Sequence, residues 1–139
     1  MHRAVLTSAF AIFLMSAGVS SAAEPVDTAQ TIIQDQIAAF LNDDAATAYS
    51  FASPQIKGKF PDQSIFFDMV KRGYTPVYRP GNFAFGRSKI DGDTVVQEVL
   101  ISGPDGKDWT ALYYVVRQPD GSYKINGVQM LQQAPGPEI

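Results

Sequence analysis

The sequence predicts an α+β domain in which three N-terminal helices pack on a curved antiparallel meander sheet. Two observations carry that expectation: apolar residues recur at helical spacing up to residue 72, and they alternate from residue 82 onward. The third is the stretch between. Arg72-Gly73-Tyr74-Thr75-Pro76-Val77-Tyr78-Arg79-Pro80 holds two arginines, two tyrosines and two prolines in nine positions, and it separates the two regimes.

Residues 1–23 stand apart from the folded part. Met1-His2-Arg3 is basic, Ala4 to Met15 is apolar, and Ser16 to Ala23 is small and polar, the pattern of a secretory signal peptide. The apolar run is shorter than the roughly 20 residues a membrane-spanning helix needs. Cleavage is expected between Ala23 and Glu24, which gives a periplasmic or secreted protein with no stable membrane insertion. The remaining 116 residues carry ten basic and 14 acidic side chains, net −4. That balance argues against nucleic acid as a partner.

The 139-residue chain has no cysteine, and its one histidine, His2, leaves with the signal segment. A Ser-His-Asp or Cys-His centre, a thiolate site and a histidine-bearing zinc site are therefore ruled out of the mature chain. No cofactor and no metal are expected. Acid–base chemistry would fall to a carboxylate, lysine or tyrosine with a shifted pKa.

Taken in order, Asp27 and Gln30 suggest a capping box, followed by the stripe Ala29, Ile33, Ile37, Phe40, Leu41, so the first helix is expected from about Thr28 to Asn42. Asp43-Asp44 ends it and caps a short helix around Ala45 to Ala52, which Ser53-Pro54 closes before a further helical turn through Ile56. Asp62 caps the third helix, which presents Ile65, Phe66, Met69 and Val70, ends on Lys71-Arg72, and stops at Gly73. Asp68 is placed to pair with Arg72 one turn later.

Strands are expected over Asn82–Ile90, Thr94–Ser102, Asp108–Arg117 and Ser122–Leu131. Asp91-Gly92, Gly103-Pro104-Asp105-Gly106 and Gln118-Pro119-Asp120-Gly121 supply the turns. Asp91-Gly92-Asp93 lacks the further ligands of a calcium loop and reads as a hairpin turn. Gln133 to Ile139 reads as a flexible tail after a single domain over 24–132.

The order of elements, the run Asp-Asp-Ala-Ala-Thr-Ala-Tyr-Ser-Phe-Ala-Ser-Pro at 43–54 and the closing Gly-Ser-Tyr-Lys-Ile-Asn-Gly-Val at 121–128 resemble the nuclear-transport-factor-2-like superfamily. More narrowly, Ala39 through Pro80 and on to Gly127 resembles an exported bacterial family called domain of unknown function 4864. The resemblance implies a cone-shaped α+β fold whose open end is a pocket. It transfers no catalytic residue, because the superfamily mixes isomerases, dehydratases, binding modules and dimerisation domains.

Arg72, Tyr74, Tyr78 and Arg79 read either as a cationic, aromatic rim for an anionic or planar ligand or as a helix end with arginines stacked on their neighbours. Gln97 shares a strand face with Val99 and Ile101. If that face is the inner one, Gln97 either orients a ligand or pairs with a neighbour. Tyr113 joins the ligand-facing set on the next strand. The faces Trp109, Ala111, Tyr113, Val115 and Thr110, Leu112, Tyr114, Val116 are both apolar, so an outer-face homodimer is expected.

Three functions follow. The first is a non-enzymatic module that binds a small ligand or a periplasmic protein in the pocket or at its rim. The second is an isomerase- or dehydratase-type enzyme with a buried carboxylate, for which Glu98 and Asp35 are the candidates. The third is a dimerisation domain whose pocket is filled core, with Phe83, Phe85 and Tyr113 as packing residues.

Overall fold

The computed structural model describes residues 23–132, so the signal segment before Ala23 and the tail from Gln133 lie outside the described residues. Five helices precede four strands: α1 (Ala23–Leu41), α2 (Ala45–Ser50), α3 (Pro54–Lys59), α4 (Gln63–Gly73), α5 (Thr75–Tyr78), β1 (Asn82–Asp91), β2 (Thr94–Ser102), β3 (Asp108–Arg117) and β4 (Tyr123–Gln132). The strands form one open antiparallel sheet in the order β1-β2-β3-β4, the expected meander. Gly92, Gly106 and Gly121 occupy the left-handed region in its three turns.

α1 starts five residues earlier than the periodicity predicts. Asp27 is not its cap; it lies inside the helix, where its carbonyl accepts the Thr31 hydroxyl at 3.0 Å. Pro25 is no obstacle, because the first turn lacks intrahelical N–H bonds to lose. Ala29, Ile33, Ile37 and Phe40 are buried as expected, whereas Leu41 is 46 % exposed at the helix end.

The C-terminus of α1 is closed by two bonds, Asp43 N–H to the Phe40 carbonyl at 3.0 Å and Asp44 N–H to the Ala39 carbonyl at 2.8 Å. This is a Schellman closure, which puts Asp43 at the left-handed position (φ 52°) where glycine is usual. Asp44 then caps α2 by accepting from Thr47 N–H at 3.1 Å, and Ser53 and Asp62 cap α3 and α4. After Gly73, Pro76 favours an extended residue before it. The segment is instead the single turn α5, with Pro76 in the first turn.

The helices cover one sheet face. Val95, Val99 and Ile101 of β2, Ala111, Tyr113 and Val115 of β3, and Ile125 of β4 form one core with Ile33, Ile37, Phe40, Phe66, Phe67, Val70 and Val77. Val96, Leu100, Leu112, Tyr114, Val116 and Leu131 point the other way and stand outside that core, with Leu100 and Leu131 among the exposed apolar side chains. No described helix is long and apolar enough to cross a membrane.

Candidate functional site

Two bulges shape the sheet. In β1 the register shifts between Phe85 and Ser88, so Gly86 and Arg87 together face Glu98. Gln97, fully buried on the inner face, donates from Nε2 to the carbonyls of Gly86 (3.3 Å), Arg87 (3.3 Å) and Glu98 (2.9 Å), and its Oε1 accepts from Gln30 of α1 at 3.2 Å. On the outer side Glu98 accepts from Arg87 N–H (3.1 Å), Nε (3.0 Å) and Nη2 (2.8 Å). The Arg87 side chain and then its backbone N–H hold the Glu98 carboxyl below its usual range. A side chain at Gly86 would run into Glu98, since a Cβ there would lie 2.9 Å from Oε2.

The second bulge lies in β4. Val115 pairs with Ile125 and Tyr114 with Gly127, leaving Asn126 as the extra residue. The α2–α3 connection docks at this point: Ile125 N–H donates to the Phe51 carbonyl at 2.8 Å, and Ser53 N–H donates to the Ile125 carbonyl at 2.9 Å. Ser53 Oγ accepts from Ile56 N–H and gives its proton to Asn126 Oδ1 at 2.8 Å. The Asn126 amide is thereby oriented, with its oxygen accepting from Ser53 and its NH2 still available as a donor.

Beside Asn126 opens a cavity of about 350 Å3. Phe40 of α1, Ile56 of α3, Phe66, Met69 and Val70 of α4 and Val77 of α5 make much of its wall, and Ile125 and Val128 close it from β4. Its polar lining is sparse: Gln36, Lys59, Tyr74 and Asn126. Gln36 is buried and donates to the Ala48 carbonyl at 3.2 Å. No carboxylate lines the cavity among the described residues.

Of the six residues singled out from the sequence, Tyr74 lines this cavity and Arg72, Tyr78, Arg79, Gln97 and Tyr113 do not. Arg72 is exposed, and the ion pairs among the described residues are Arg79–Asp43 and Arg87–Glu98, so the expected Asp68–Arg72 pair is not formed. Tyr78 and Arg79 act together on the end of α1. Arg79 donates to the Phe40 carbonyl and, at 2.8 Å, to Asp43; Tyr78 donates to the same carboxylate oxygen; and the Arg79 guanidinium lies 4.0 Å from the Tyr78 ring centre. Tyr113 is fully buried in the core, and its hydroxyl has no hydrogen-bond partner there, so burial pushes its pKa up. The carboxylates considered for proton transfer sit elsewhere: Asp35 is exposed on α1, and Glu98 faces outward to Arg87.

Sequence reasoning missed Gln36, Lys59 and Asn126. The signal for Asn126 was present in Asn126-Gly127, an unusual pair inside a strand that marks an irregular register.

The Tyr78 hydroxyl first, and Arg79 second, hold the Asp43 carboxyl below its usual range. A carboxylate with a depressed folded pKa adds stability above its unfolded pKa of about 3.9, and that contribution is lost as pH falls through the folded value. Asp43→Asn should therefore melt below the unmodified chain at pH 7, with the gap narrowing as pH falls below about 3.9 toward the lowered folded value. Thermal unfolding at pH 7 and through the acid range checks this; a gap that does not narrow in acid would mean that the charge of Asp43 contributes nothing.

No curated protein and no solved structure matches the chain. One family model does, over residues 22–138, nearly the whole length. The chain belongs to the family described as a domain of unknown function (DUF4864).

Proposed function

We propose that the chain is a non-enzymatic binding module that takes a small, mostly apolar ligand into the cavity between the helices and β4. The observation that carries this reading is the cavity itself: about 350 Å3, walled by aromatic and aliphatic side chains, with a few polar groups. Ligand sites of globular proteins begin near that size and have that composition. The filled-core reading leaves this space unexplained. The proton-shuttle reading needs a desolvated carboxylate, and among the described residues every carboxylate with a resolved shift, including Asp43, Asp62 and Glu98, is moved downward. A long helix laid over an antiparallel meander suits the cone architecture of the nuclear-transport-factor-2-like superfamily, and the basic-apolar-small pattern of residues 1–23 suits work outside the cytoplasm.

The neutral fluorophore N-phenyl-1-naphthylamine tests the reading. The chain should bind one equivalent with enhanced, blue-shifted emission. Met69→Trp, which pushes an indole into the cavity from a half-buried position, should lower that affinity at least tenfold with the circular dichroism unchanged. Ile56→Trp gives a second variant on a different wall should the first fold poorly. Undiminished binding by both folded variants would place the dye elsewhere and remove the basis for the proposal.

A further inference from the structure

Resting on that reading, we infer that the ligand is a small amphipathic acid: one short hydrocarbon chain carrying a single negative head group, held against Lys59. Three features of the lining lead there.

The first is charge. Lys59 is the cation among the residues that line the cavity, and no acidic side chain accompanies it. It makes no ion pair within the described residues. Its neighbour Lys57, by contrast, is already engaged over the Tyr49 ring, 5.2 Å from the ring centre, and does not line the cavity. Lys59 ends α3 at the border of the apolar wall formed by Ile56 and Phe60, so its stem is placed for apolar contact while its ammonium stays near water.

The second is hydrogen-bond polarity. Asn126 lines the cavity, and while its carbonyl oxygen accepts from Ser53, its NH2 remains as a donor. Tyr74 belongs to the same lining. A cation and a donor amide, with no carboxylate, match a head group that accepts and carries negative charge; an amine or a guanidine would find no counter-charge.

The third is size. A cavity of about 350 Å3 lies near the lower end of small-molecule sites, which suits a single short chain with one head group and not a two-chain phospholipid.

The test is displacement of N-phenyl-1-naphthylamine by decanoate and by 1-decanol, which share a chain and differ in head group. The alcohol is the more apolar of the two, so unspecific partitioning would favour it. The expected result is a five- to tenfold preference for decanoate in the unmodified chain. Lys59→Gln should reduce that preference to about twofold or less, each ligand being scored against that variant's own affinity for the dye. Lys57→Gln should keep it. A preference for decanol, or one for decanoate that survives Lys59→Gln, overturns the acid assignment while leaving the apolar cavity reading intact. Failure of the dye to bind at all removes both together.

Discussion

Phe40→Ala is expected to lower the unfolding free energy by about 3 kcal/mol, toward the low end for a buried aromatic residue. The ring is 1 % exposed and is the hub of an aromatic cluster, with ring centres 6.4 Å from Phe66, 5.9 Å from Phe67 and 6.4 Å from Tyr78. Its removal loses the transfer free energy of the ring and three ring contacts, and α1 loses its hold on α4 and α5. The low end of the range applies because one side of the ring already borders the cavity, so less new void is created. Leu41→Ala, one residue on and 46 % exposed, should cost under about 1 kcal/mol. Urea titration of both variants decides the point. Similar losses for the two would mean that the stripe on α1 is set differently from the packing described above.

Gln97→Leu is the second large effect, about 2–4 kcal/mol, although it keeps the volume of the side chain and makes it more apolar. The loss comes from three carbonyls, those of Gly86, Arg87 and Glu98, which share the Gln97 amide inside the core and would lose that donor at once. Gln30 loses its acceptor as well. Gln97→Glu separates this account from simple packing, because a carboxylate of nearly the same shape would set oxygens against carbonyl oxygens. It should be worse than leucine, and both should speed hydrogen exchange at Arg87 and Ser88 first. A Leu variant as stable as the parent would show that the bulge carbonyls are satisfied without Gln97.

These two residues also mark how far the sequence could be read. Phe40 was legible: it belongs to a stripe at helical spacing, and burial of such a stripe needs only that a sheet be available. The strands were legible for a similar reason, since Asp91-Gly92, Pro104-Asp105-Gly106 and Pro119-Asp120-Gly121 fix turn positions locally and alternation fixes the faces. Gln97 was legible as sharing a strand face with Val99 and Ile101 but not as a clamp, because its partners depend on a bulge whose local trace is Gly86. α5 was hidden by the tendency of a residue before proline to be extended, a preference that packing of Val77 in the core overrides.

The site was less legible than the fold. Tyr74 reached the cavity, whereas Tyr78 and Arg79 are bound up with a feature that spacing does not disclose, a helix end at which Asp43 replaces the customary glycine. Lys59 and Asn126 lie 67 positions apart and line one cavity through a docked connection and a register shift. Lys59 carries no local pattern that announces this, and Asn126-Gly127 marks the irregular register without disclosing the cavity.

The docking of Phe51–Ser53 along β4 has a further consequence. An open sheet ends in two rows of unpaired backbone groups, each able to template a strand from another molecule. On β4, part of that row is occupied by the chain's own connector, through the parallel bridge of Ala52 with Ile125. On β1 the bulge at Gly86-Arg87 bends the strand, and Arg87 and Lys89 stand exposed along it. Both margins of the sheet are thus poor seeds for fibrillar growth, and a protein with no disulfide to restrain partial unfolding gains protection from aggregation by the same contacts that shape its cavity.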